Sequence, residues 1–96
     1  EQMLVYNDMI KQRIQKARNY PYAARKRGIE GEVTVDFRIL RDGSLDSAVV
    51  VLGSGADILD NEAVSTVKRA APYPAVPESS GKESLEKRIT LIFRLN

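Results

Sequence analysis

The side chains able to do chemistry in this 96-residue chain are carboxylates, hydroxyls, lysines, arginines and four tyrosines, because it contains neither cysteine nor histidine. A thiolate nucleophile, a disulfide, a thiolate metal site and an imidazole base are therefore excluded. The carboxylates pair by spacing at Asp42 with Asp46 and at Asp57 with Asp60. Either pair is a formal candidate for acid–base work or for holding a cation. Each also has a structural role at hand: Asp42 precedes a glycine in a turn. Asp57 and Asp60 suit the first turn of a helix, where negative charge is favourable. Gly53-Ser54-Gly55 has the composition of a phosphate loop, but no Lys-Ser or Lys-Thr follows it at the required spacing. These patterns imply no enzyme, no cofactor and no metal centre.

Fifteen basic against thirteen acidic residues leave a formal charge of +2, too small to suggest nucleic acid by itself. The basic residues lean to the first third, at Lys11, Arg13, Lys16, Arg18, Arg25, Lys26 and Arg27. That run reads as a solvated helix face or as a contact for an acidic partner. A sheet that binds RNA stacks bases on exposed strand aromatics. Here the strand aromatics, Phe37 and Phe93, fall on the apolar face, so no nucleic-acid partner is expected. No apolar run reaches the roughly 20 residues of a membrane span. The chain opens on Glu1 rather than Met, which reads as a domain excised from a longer protein.

The hydrogen-bonding capacity of the backbone itself remains. In residues 86–96, Ile89, Leu91, Phe93 and Leu95 alternate with Arg88, Thr90, Ile92 and Arg94, the period of a half-buried β-strand. A final strand with one unpaired edge is a template on which an extended segment of another chain can dock.

The elements that must position this edge follow from the same periodicities. Residues 2–18 read as an amphipathic helix, with Met3, Tyr6, Met9 or Ile10, Ile14 and Ala17 on one side. Asn19-Tyr20-Pro21 ends it, since a proline disfavours helix in the residue before it. Pro21 suits the first turn of a short helix over 22–27, closed by Gly28. From Glu32 the period becomes two: Val33, Val35, Phe37 and Ile39 alternate with polar residues. Asp42-Gly43, as the two centres of a tight hairpin, leads into a strand over 45–53. That register opposes Phe37 to Ala48, Val35 to Val50 and Val33 to Leu52. Asp57 is expected to cap a helix carrying Leu59, Ala63, Val67 and Ala70. Pro72, Pro74 and Pro77 make an extended connector, and residues 78–84 a polar loop.

If the third strand pairs with the first, the fold is α+β. It is a two-layer sandwich with a three-stranded antiparallel sheet in the order 2-1-3 and helices packed on one face. Leu40, Val49, Val51 and Ile92 are left apolar on the other face. They have three possible covers: the N-terminal helix, a second copy in a homodimer, or a partner. The helix is the expected one, because Ile10 and Ile14 need burial.

The order of motifs resembles a known family. Tyr20-Pro21, Ile29-Glu30-Gly31, Val33-x-Val35-x-Phe37-x-Ile39, Asp42-Gly43 and Gly53-Ser54-Gly55 begin it. Leu59-Asp60-x-x-Ala63-x-x-x-Val67, Ala70-Ala71-Pro72-Tyr73-Pro74 and Ile89-x-Leu91-x-Phe93 complete it. Together they are similar to the TonB C-terminal domain family over residues 19–96, with residues 1–18 as a separate N-terminal helix. The resemblance implies a periplasmic domain of an inner-membrane-anchored energy transducer in a Gram-negative bacterium. It also implies a proton-driven motor of ExbB and ExbD acting through the missing N-terminal part. Such domains grip the Ton box of TonB-dependent outer-membrane transporters for siderophores, haem or cobalamin by adding it as a strand beside the last strand. The residues implied are Arg88, Ile89, Thr90, Leu91, Ile92, Phe93, Arg94 and Leu95. Studied members carry a Gln-Pro-Gln-Tyr-Pro stretch. Here Arg18 and Asn19 precede Tyr20-Pro21, so only Tyr20 and Pro21 carry over as contacts. An adaptor of the same fold, TolA-like or sensor-associated, with another periplasmic partner is the alternative.

Overall fold

In the computed structural model, which describes residues 2–95, the first helix, α1, spans Gln2–Ala17. It buries Tyr6, Ile10 and Ile14, a four-residue spacing that keeps one stripe inward. The short second helix, α2, is Tyr22–Lys26. Pro21 stands in front of it with ψ at 132°, outside the helical range, so it caps the helix rather than opening its first turn as expected. Gly28 takes a φ of 68° after the helix ends.

Strand β1 is Gly31–Leu40, β2 is Leu45–Leu52, helix α3 is Asp57–Ala70 and β3 is Ser84–Phe93. The sheet order is β2-β1-β3 and both pairings are antiparallel, as the sequence predicts. Strands β1 and β3 run in unbroken register from Gly31 opposite Phe93 to Leu40 opposite Ser84. Against β2, Phe37 meets Ala48 and Val35 meets Val50, again as expected. The ends of that ladder differ: Thr34, not Val33, faces Leu52, and Ile39 faces Leu45.

The hairpin turn explains one of these shifts. Gly43 N donates to Leu40 O and Leu40 N to Ser44 O, both at 2.8 Å. Gly43 has a φ of 96°, and no non-glycine residue has a positive φ among the described residues. Arg41 and Asp42 are thus the turn centres and Gly43 is a left-handed third loop residue, not the second centre of a two-residue turn. An aspartate avoids the left-handed region when a glycine beside it can take it. Asp42 instead accepts from Ser44 N at 2.9 Å and from Ser44 Oγ at 2.6 Å.

Asp57 is likewise displaced from its expected role. Ala56 occupies the cap position without a side-chain hydrogen bond, and Asp57 is the first helical residue. Asp60 instead ties the helix to the preceding loop, its Oδ1 accepting from Ser54 N at 2.9 Å and Ser54 Oγ at 2.8 Å. After α3 the connector contains a cis Ala71–Pro72 bond. It docks on the hairpin through Tyr73 N to Gly43 O at 2.8 Å and Val76 N to Arg41 O at 2.9 Å. A single 3₁₀ turn, Glu78–Ser80, lies where a loop is expected.

Both long helices lie on the same side of the sheet. Val33, Val35, Phe37, Ile39, Leu91 and Phe93 form one buried core with Leu59, Ala63 and Val67 of α3 and with Tyr6, Ile10 and Ile14 of α1. The expectation that α1 covers the leftover apolar residues is therefore wrong. Val49, Val51 and Ile92 stay 55%, 46% and 43% exposed, and Leu40 is exposed too. Helix α1 goes to the inner face because it completes a core that is already apolar. It is also tied there by bonds to helix-end carbonyls: Arg13 Nε donates to Ala70 O at 3.1 Å and Arg69 Nη2 to Ala17 O at 3.0 Å. Tyr6 OH adds a bond to Pro74 O at 2.9 Å.

Candidate functional site: the outer edge of the last strand

Residues of an antiparallel strand send their N–H and C=O groups alternately to one neighbour and the other. Leu40 N points to β2, where it donates to Ser44 O. The even-numbered residues of β1 therefore face β2 and the odd-numbered ones face β3. Through the unbroken register, Leu85, Lys87, Ile89, Leu91 and Phe93 bond to β1. Glu86, Arg88, Thr90 and Ile92 turn their amides and carbonyls outward. Among the described residues no strand pairs with that side.

This geometry divides the residues singled out in the sequence. Arg88, Thr90 and Ile92 present backbone to the edge and side chains to the open face. Ile89, Leu91 and Phe93 give both backbone and side chain to the fold. Arg94 and Leu95 lie beyond the strand, which starts at Ser84 and ends at Phe93, earlier at both ends than expected. Asn96 lies outside the described residues. Leu95 N donates to Glu30 Oε2 at 2.7 Å, and Arg94 pairs with Glu32 at 3.1 Å.

The open-face side chains form a cross-strand ladder. Arg88 contacts Asp36 through two bonds, at 2.6 and 2.9 Å, and Thr90 shares a hydroxyl bond of 2.9 Å with Thr34. Arg38 lies 3.5 Å from Glu86. The hydrogen bonds and charge of Arg88 hold the Asp36 carboxyl below the usual carboxylate range. The complementary residue types of Asp36 with Arg88, Thr34 with Thr90 and Arg38 with Glu86 are visible in the sequence. Opposite charges and paired hydroxyls at matching steps along the two strands are the signal that specifies this register.

Tyr20 and Pro21 sit by the far end of the edge. The Tyr20 ring packs edge-on against Phe93 with centroids 5.6 Å apart, and its hydroxyl donates to Ile29 O. Arg18, which the motif pattern does not single out as a contact, donates to the outward carbonyl of Ile92 and lies 5.4 Å above the Phe93 ring. Near the other end, Lys87 Nζ donates to Asn7 Oδ1. Helix α1 therefore runs beside β3 in the same sense. The separation from Asn7 to Arg18 matches that from Lys87 to Ile92, about 17 Å by helical and strand rise.

No helix among the described residues is long and apolar enough to cross a membrane. None of their His, Cys, Asp or Glu side chains group into a metal-holding cluster. The arrangement offers a backbone edge flanked by a helix.

Comparison with known proteins agrees with this picture. Residues 16–95 match the model of the Gram-negative bacterial TonB protein C-terminal family. The chain is 38% identical over 82 residues to a protein TonB of Helicobacter pylori, covering 85% of this chain and 27% of that protein. It thus spans only about a quarter of that curated relative's length. The solution structure of a Helicobacter pylori TonB C-terminal domain superposes with a TM-score of 0.82 at 35% identity, over 95% of this chain and 81% of that one. TolAIII bound to a peptide derived from the N-terminus of TolB shares the fold, with a TM-score of 0.68 at 24% identity over 91% of this chain and 71% of that one. A three-stranded sheet in this order, an open final strand and a sequence match across four fifths of the chain lead to one assignment: this chain belongs to the family of Gram-negative bacterial TonB C-terminal domains.

Proposed function

We propose that this domain captures the Ton box of TonB-dependent outer-membrane transporters as an added strand on β3, and passes on force generated at the inner membrane. The observation that carries the reading is the row of outward amides and carbonyls at Glu86, Arg88, Thr90 and Ile92, in a domain of this family. Strand addition draws on main-chain bonds of about 0.5–1.5 kcal/mol net each, so affinity is modest and tolerant of sequence. A pull along the strands loads those bonds together in shear. Tyr20 and Pro21 flank the Phe93 end, in position to meet chain emerging from the docked segment.

On this reading the domain works in the periplasm and is anchored through sequence that precedes it, where ExbB and ExbD supply proton-driven motion. The transporters served carry siderophores, haem or cobalamin. The exposed Val49 and Val51 are then available to a second copy or to the transporter itself.

An amide NMR titration with a Ton-box peptide tests the proposal. Shifts should concentrate at residues 86–92, and Thr90→Pro should abolish them. Proline at Thr90 removes an outward donor while leaving the bonds to β1 in place. Shifts confined to β2, or unchanged binding by the proline variant, would refute it.

A further inference from the structure

The inner-face positions of β3 are Leu85, Lys87, Ile89, Leu91 and Phe93, four apolar residues and one lysine. Lys87 is opposite Phe37, at the seam between sheet and α1, and burial pushes its ammonium below the ordinary lysine range. Its partner among the described residues is a neutral amide oxygen, Asn7 Oδ1. No ion pair among the described residues includes Lys87 or Lys11, although five arginines, Arg38, Arg41, Arg69, Arg88 and Arg94, are each paired with a carboxylate. Lys11 follows Asn7 by one helical turn on the same side of α1.

A notch of about 240 Å³ lies here, lined by Asn7, Ile10, Lys11, Phe37, Lys87, Arg88 and Ile89. Arg88 in that lining is one of the residues whose backbone faces the open edge. A strand added there projects every second side chain onto the inner face, about 5 Å from its neighbour on β3. The side chain beside Lys87 would enter this notch, which Lys87 and Lys11 both line, next to Ile10, Phe37 and Ile89. An amide oxygen satisfies one hydrogen bond of an ammonium but none of its charge. The missing component is a carboxylate.

Resting on the strand-addition reading, we propose that this notch is a carboxylate subsite, and that the segment docked on β3 carries an aspartate or glutamate at the position next to Lys87. At the opposite end of the edge the guanidinium of Arg18 already donates to Ile92 O and lies over the Phe93 ring. The domain then reads one side chain in addition to backbone shape, and the acid sets the register of the docked strand.

The test uses acetylated, amidated eight-residue peptides of alternating valine and threonine. Each carries one aspartate at a different position, and each has a twin with asparagine there. Binding is followed by amide and lysine side-chain NMR. At one position the aspartate peptide should bind about tenfold tighter than its twin, as expected for a charge-assisted hydrogen bond. That preference should shrink with added salt and move the Lys87 amine titration upward. Lys87→Met should remove most of the difference between the twins while retaining edge binding. Lys11→Gln, on the exposed side, should narrow the preference without touching the sheet. Equal affinity of every pair of twins, with shifts still on the β3 edge, overturns the subsite alone. Absence of edge shifts with every peptide overturns the docking reading beneath it as well.

Discussion

The guanidinium of Arg18 donates to the carbonyl oxygen of Ile92 while lying 5.4 Å above the ring of the next residue, Phe93. One side chain thus closes an acceptor of the open edge and shields the aromatic at its end. A strand docking along the full edge must displace this contact, because the Ile92 carbonyl is among the groups it would use.

Arg18→Gln is accordingly expected to tighten binding of an uncharged strand-forming peptide by up to about tenfold, the value of one competing hydrogen bond. An NMR or calorimetric titration of both proteins checks it. Weaker binding would mean that Arg18 contacts the peptide rather than competing with it.

Gly43 is where the hairpin and the proline-rich connector meet. A Cβ built there would lie 1.9 Å from Tyr73 O, and the residue's φ of 96° disfavours any side chain. Gly43→Ala should destabilise the domain by about 3 kcal/mol or more, since backbone strain and a backbone clash add. Denaturant unfolding measures this directly; a loss below about 1 kcal/mol would show that the connector yields easily.

Tyr73 packs on Phe37 at 5.8 Å and its hydroxyl donates to Val67 O at 2.8 Å. Val67 lies in the last turn of α3, where carbonyls lack helical partners. Burial pushes the phenol up from 10.0 to about 12. The folded-state value is raised, so the associated stability is complete below pH about 10 and is lost as pH rises toward 12. Tyr73→Phe should cost about 1 kcal/mol at neutral pH and flatten the alkaline fall in melting temperature. An unchanged alkaline profile would assign that fall to other groups.

Asp36 and Arg88 make the reverse case. The bonds from Arg88 lower the Asp36 folded-state value, so the contribution is present above the ordinary carboxylate range, about pH 4, and fades as pH falls through the depressed value. The pair is exposed, so salt should weaken it. Asp36→Asn should reduce the acid-side slope of stability against pH, with little change at high ionic strength. A slope equal to that of the parent protein would show that the contact does not persist in solution.

Much of the fold is legible in the residues themselves. Strict alternation at Val33, Val35, Phe37 and Ile39 and again at Ile89, Leu91 and Phe93 specifies two strands and their buried sides, because a one-residue slip would expose every apolar group. Four-residue spacing of Tyr6, Ile10 and Ile14 specifies a helix with one apolar stripe. These local periods, joined by Gly and Pro punctuation, specified the element order, while the sheet order 2-1-3 followed only if the third strand pairs with the first, as it does.

What local pattern could not carry is which surface each element meets. The apolar stripe of α1 does not name its own cover; the inner face won because the core there is already apolar, and Arg13, Arg69 and Tyr6 add bonds to carbonyls distant in sequence. The hairpin register slipped at its turn end because Gly43, not Asp42, took the left-handed conformation. The bonding direction of each edge residue, the Arg18 contact and the bond of the Lys87 ammonium to Asn7 likewise emerged only once β3 lay beside both β1 and α1. Periodicity is a property of neighbouring residues, whereas partnership is decided by what the folded chain brings within a few ångströms.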